Sequence, residues 1–67
     1  MSGVDRATLN AWRLRGRGDA FAHRPSAIET ARARHGEKAA EAYLAGWRIG
    51  ARARGDHDAL HRDAQRV

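Results

Sequence analysis

Ala39-Ala40-Glu41-Ala42-Tyr43-Leu44-Ala45-Gly46-Trp47-Arg48-Ile49-Gly50-Ala51-Arg52-Ala53-Arg54 is the stretch whose reading decides the fold. Small or apolar residues recur at Ala40, Tyr43, Leu44, Trp47 and Ala51, the three- and four-residue steps that line one face of a helix. Tyr43 and Trp47 therefore stand one turn apart on that face. Gly46 and Gly50 lie on an adjoining stripe, where each costs the helix about 1 kcal/mol against alanine but leaves bare backbone that another group can approach closely. Two occupants remain open. One is a second helix of the same chain; the other is RNA or a partner protein, received in a groove made by Gly46, Trp47 and Gly50. On the opposite side Arg48, Arg52 and Arg54 begin a cationic stripe.

Upstream of this stretch, Ser26 with Glu29 three residues on fits a capping box, which starts the helix that contains it. His35-Gly36 interrupts that helix as a stop or a weak point, and the alanine-rich flanks favour continuation or a short kink. Pro25 disfavours helical geometry at Arg24 and so ends an earlier helix. That first helix opens on Asp5 as its cap. It carries two adjoining stripes, Leu9, Trp12, Gly16 and Ala20 on one and Ala7, Ala11, Leu14, Gly18 and Phe21 on the other. Arg-Gly-Arg-Gly at 15–18 is compatible with a turn, and helix is the reading adopted. Trp12 and Phe21 are expected to meet Tyr43 and Trp47, because these four are all of the chain's tryptophan, tyrosine and phenylalanine and most of them must serve the core. Downstream, Gly55-Asp56 reads as a stop and a fresh cap, with Leu60 and Ala64 on one face of a short last segment.

The expected fold is thus all-α: a single small domain over 1–67, a helical hairpin of two main helices. The helices run over about 5–23 and about 27–54, the second with a kink allowed near 36, and a frayed tail at 55–67 has room for a short third helix. A chain of 67 residues buries only about 60% of its unfolded surface and has no cysteine to staple it. Nothing in the sequence approaches the apolar length of a membrane span or the core of a signal peptide, so the expectation is a soluble, cytoplasmic protein.

Thirteen Lys and Arg against eight Asp and Glu give a net charge of +5, and twelve of the thirteen cations are arginine. A GC-rich coding bias explains part of that arginine excess but leaves the net charge, which with interleaved aromatics suits a phosphate backbone. The expected RNA contacts are Arg13, Arg15, Arg17, Arg48 and Arg52, since arginine both pairs with phosphate and stacks on bases. Catalysis is not expected. Ser2 and Ser26 read as terminus and cap, Gly16-Arg17-Gly18 lacks the strand and lysine of a phosphate loop, and Glu37 with Glu41 reads as a solvated face. His57 and His61 share the four-residue spacing of helical metal ligands, yet no third ligand is evident, so neither a metal nor a cofactor is expected.

Tyr43-Leu44-Ala45-Gly46-Trp47-Arg48 resembles the aromatic-Leu-Gly-Gly-Trp-Arg signature of the ribosome modulation factor family, and the segment from Arg15-Gly16 to Arg24 resembles that family's first helix. These matches cover about a third of the chain. The family's Cys-Pro-Tyr linker has only Pro25 in its place, the segment from Pro25 to Trp47 is longer, and an acidic, histidine-bearing tail follows Arg54. The resemblance implies a two-helix protein of starved bacterial cells that binds the small ribosomal subunit near the 3′ end of its RNA, blocks messenger access and promotes ribosome hibernation. It implicates Arg15, Arg17, Trp47 and Arg48. The other class of function kept open is a protein-interaction module, phage-encoded or an accessory subunit, that receives a partner helix at Gly46 and Gly50. No membrane partner is expected.

Overall fold

The computed structural model describes residues 4–65, and side chains from 4 to 59. It is all-α, with helices α1 (Arg6–Phe21), α2 (Ile28–His35) and α3 (Glu37–Gln65). Asp5 caps α1 as expected: its carboxylate accepts the Thr8 N–H at 2.8 Å, and hydrogen bonding by Thr8, through its hydroxyl first and its N–H second, holds the Asp5 carboxyl below its usual range. Gly16 and Gly18 are helical. Beyond Phe21 the chain turns through His23, whose φ of 58° lies in the left-handed region. The His23 N–H bonds to the Ala20 carbonyl at 3.2 Å and the Arg24 N–H to that of Asp19 at 2.8 Å. This is the Schellman pattern, with histidine at the position glycine usually takes.

The helix expected over 27–54 is two helices. Gly36 has φ 84°, which a residue with a Cβ rarely adopts, so the weak point is a full break and the short helix precedes the long one. Its N–H closes α2 on the Arg32 carbonyl at 2.8 Å, and its own carbonyl accepts the Ala40 N–H that opens α3. The capping box also takes another form. Ser26 Oγ accepts from the Ile28 N–H at 3.3 Å, while Glu29 turns forward to Arg32. At the far end, Gly55-Asp56 does not stop α3, which continues to Gln65. One glycine costs a long helix only about 1 kcal/mol, and the Arg54–Asp58 pair, one turn apart at 3.0 Å, spans the site. The expected contributions of Leu60 and Ala64 fall outside the described side chains.

The two long helices pack on each other in parallel. The Arg13 carbonyl abuts Gly46 and the Arg17 carbonyl abuts Gly50, so four residues forward on α1 correspond to four residues forward on α3. The return path is α2, which starts beside Tyr43 and ends beside Trp12. Trp12, Ala31, Ala39 and Tyr43 form the core, with Leu9, Ile28 and Trp47 packed around it. Trp12 meets Tyr43 edge-on with centroids 6.2 Å apart, and Tyr43 stacks on Trp47 at 6.0 Å. Phe21 does not join them. It lies further along the rod, under the Arg54 guanidinium at 5.6 Å and against the His57 ring at 5.7 Å. Only the first stripe of α1 is buried, and Leu14 on the second stripe is exposed.

Candidate nucleic-acid interface

The glycine stripe of α3 is occupied by the chain itself. A Cβ on Gly46 would lie 2.7 Å from the Arg13 carbonyl carbon, and one on Gly50 would lie 2.8 Å from that of Arg17. Reciprocally, a Cβ on Gly16 would lie 3.0 Å from the Tyr43 carbonyl carbon. Close backbone approach is therefore what these glycines provide, and α1 is what approaches. A partner groove at Gly46 and Gly50, open to RNA or a foreign helix, does not exist in this fold.

That packing positions the arginines. The backbones of Arg13 and Arg17 face α3, and their side chains emerge exposed beside the seam, one turn apart. Arg48 and Arg52, likewise one turn apart, follow Gly46 and Gly50 by two residues, which turns them to the side of α3 away from α1 while keeping them at about the same height along the rod. All four are exposed, and none makes an ion pair among the described residues. Arg15 is separated from them. Its guanidinium lies over the Trp12 ring at 5.3 Å and its Nε is 3.7 Å from Asp19.

Several other arginines are tied to carboxylates. Arg32 is clamped by Glu29 and Glu37, which together hold its guanidinium above its ordinary pKa, Glu29 having the larger effect. Arg54 pairs with Asp58 and donates to the Phe21 carbonyl at 3.0 Å. Arg24 pairs with Asp19 at 3.0 Å.

Asp19 was missed by the sequence reading, although its position signals burial: seven residues after Trp12 and three after Gly16, it falls on the buried stripe of α1. It is 7% exposed. The Tyr43 hydroxyl donates to its Oδ2 at 2.7 Å and accepts the Ala27 N–H at 2.8 Å. One hydroxyl thus ties α1 and the start of α2 to α3. Burial raises the Tyr43 pKa, the Ala27 N–H opposes that rise, and the Asp19 carboxylate adds to it. At the other end of α2 the Trp12 Nε1–H donates to His35 Nδ1 at 2.9 Å, a long-range contact with no local signature in the sequence.

Trp47 is half-buried. With Tyr43 against it, it borders a concavity of about 380 Å³ shared with His23, Arg24, Arg54 and Asp58. The structure therefore parts Trp47 from its neighbour Arg48 and sets it beside Arg24 and Arg54 instead. The expected aromatic and cationic elements are both present, but on different sides of the rod. His57 packs on Phe21, and the side chain of His61, its candidate metal-site partner, lies outside those described. Among the described residues no helix is long and apolar enough to cross a membrane. No family model matches the chain, and neither curated proteins nor solved structures give a match.

Proposed function

We propose that the chain binds RNA through its unpaired arginines and, in the cytoplasm, regulates translation by attaching to the small ribosomal subunit; its role is binding rather than catalysis. The observation that supports RNA binding is the pairing of the cations. Arg15, Arg24, Arg32 and Arg54 are paired with carboxylates of the fold, whereas Arg13, Arg17, Arg48 and Arg52, like Arg6 and Arg34, are exposed with no ion pair among the described residues, and the first four stand in two pairs, each one turn apart. Such spacing, about 6 Å along a helix axis, approaches the phosphate repeat of an extended single strand. An unpaired base has an aromatic surface available at Trp47, and stacking on aromatics is a general route to single-stranded RNA. The ribosomal destination and a role in hibernation are supported by the resemblance of 43–48 and 15–24 to the ribosome modulation factor family.

Four phosphate contacts predict that log K falls against log salt with a slope of about −3, from about −0.7 for each contact on a single strand. Titrating a labelled single-stranded RNA over a salt series measures it. Changing both Arg13 and Arg17 to alanine should flatten the slope by about 1.4, and changing Arg15 to alanine should leave it unaltered. A slope indifferent to the first pair overturns the arginine assignment. In a sucrose gradient at moderate salt the protein should travel with small subunits and resist competition by bulk RNA. A protein that stays at the top of the gradient removes the ribosomal part of the proposal.

A further inference from the structure

A chain so poor in large apolar residues still leaves three of those described open to solvent. Leu14 is 57% exposed, Ile49 51% and Phe21 38%, although burial of such side chains is what stabilises a small fold. They lie on one side. Leu14, Arg17, Gly18, Phe21 and Ala53 line a concavity of about 600 Å³ along the seam of α1 and α3, and Ile49, one turn before Ala53, extends its α3 wall. α2 packs against Trp12 on the other stripe of α1 and against Tyr43 of α3, and none of its residues lines this groove.

We propose that this groove docks an amphipathic acidic helix of another protein. Its shape suits large side chains presented at three- and four-residue spacing, the usual way a helix enters an apolar groove. Gly18 supplies an open floor, since a Cβ there would meet only the Arg24 guanidinium at 3.6 Å. One wall is fixed in advance: Arg54 lies over the Phe21 ring at 5.6 Å and donates to the Phe21 carbonyl.

The charge selects the occupant. Arg17 and Arg24 line the groove and no carboxylate does; Arg24 is already paired with Asp19, so the charge open to a partner is that of Arg17 and of the exposed Arg13 one turn before it. A second copy of the chain would set Arg13 and Arg17 against their own kind, and like charges at an interface are costly. A lipid surface rewards an apolar ridge, not a recess. A helix with leucine on one face and glutamate on its flanks satisfies both the recess and the arginines. It would also cover Arg17, so it should compete with RNA for that end of α1.

The test uses the full chain and a dye-labelled synthetic helix with leucine on one face and glutamate on the other, followed by fluorescence anisotropy. The probe should bind saturably, and the same peptide with lysine for glutamate should not. Gly18→Leu should fill the floor and weaken binding by about tenfold or more, a loss of about 1.4 kcal/mol. Because space is open at Gly18, the variant should melt no lower than the parent, and because every arginine remains, its RNA binding should persist. Arg17→Glu should weaken the acidic probe comparably. Equal affinity of Gly18→Leu for the probe, or equal binding of the lysine peptide, overturns the proposal. So does self-association that Gly18→Leu abolishes, which gives the groove to a second copy, or attachment to phosphatidylserine vesicles that Gly18→Leu abolishes, which gives it to a lipid surface.

Discussion

Tyr43→Phe removes one oxygen from the centre of the fold and nothing else. The ring is 1% exposed, so its packing against Trp12 and Trp47 is kept and the apolar area buried does not change. What goes is the 2.7 Å bond to the Asp19 carboxylate and the 2.8 Å bond from the Ala27 N–H. A hydrogen bond to a charged group contributes about 1.5–3 kcal/mol, and a buried donor left unpaired costs about 1–3 kcal/mol. Ala27 is only partly buried, so water can recover some of the second loss, and Asp19 keeps Arg24 at 3.0 Å. The net cost is therefore about 3 kcal/mol, a large share of the roughly 5 kcal/mol at the low end of domain stability. For a domain of this size each kcal/mol lowers the melting temperature by about 4–8 °C, which places the drop at roughly 10–25 °C. Thermal melts in the far-ultraviolet circular dichroism measure it. A double-mutant cycle with Asp19→Asn should then show a coupling of about 1 kcal/mol or more, since the two residues share one bond. A Tyr43→Phe protein that melts within about 3 °C of the parent refutes the reasoning, because the hydroxyl would then not be holding α1 and α2 to α3.

The glycines predict opposite signs for one substitution. Gly46→Ala sets a methyl against the Arg13 carbonyl and should unfold the chain or force its long helices apart, whereas Gly55→Ala, with nothing within 4 Å, should stabilise it by up to about 1 kcal/mol; both are read by melting. Alkali should weaken the fold through Tyr43. Its raised pKa means that the unfolded chain ionises first, so the contribution is intact below about pH 10 and is lost as pH climbs through the higher folded value; urea titrations of the parent should show this decline and those of Tyr43→Phe should show less of it. Asp5 acts in the reverse direction. Its lowered pKa gives stability that is present above about pH 4 and lost as pH falls through the folded value, so Asp5→Ala should flatten the acid limb of the stability profile.

The parts of the fold that follow from local pattern were legible. The helical period of 39–54, the Asp5 cap and the helix-stopping role of Pro25 each depend on residues within a turn or two of one another, and the structure shows the helix, the cap and the chain turn there. The direction of α3 relative to α1 was not legible, because Gly16, Gly46 and Gly50 make seams that accept a neighbour running either way. Gly36 illustrates a different limit: an alanine-rich context argues for continuation, yet a left-handed φ chosen by the packing of α2 outweighs local propensity. Of the candidate site, Arg13, Arg17, Arg48 and Arg52 are exposed as the charge pattern suggests. Arg15 is drawn toward Asp19, whose place on the buried stripe of α1 is readable from its spacing but whose bond to Tyr43 on α3 is not. Its chemistry alone points Phe21 to the core, and the parallel course of the helices carries it past the aromatic cluster to Arg54.

The seam between α1 and α3 is notched by glycine. Its points of closest approach lie four residues apart, Arg13 on Gly46 and Arg17 on Gly50. A slide of one turn would set the Arg13 carbonyl on Gly50 but the Arg17 carbonyl on Arg54, and would bring Trp12 into the seat of Gly16, where a Cβ meets the Tyr43 carbonyl. α2 fixes the same register from outside. It is pinned at its start, where the Ala27 N–H meets Tyr43, and at its end, where His35 meets Trp12. The eight residues of α2 act as a gauge that sets how far one long helix may stand ahead of the other. Inserting a turn into α2 should therefore set this gauge against the glycine seats, so that the tie at Tyr43 or the tie at Trp12 is given up while the long helices keep their register.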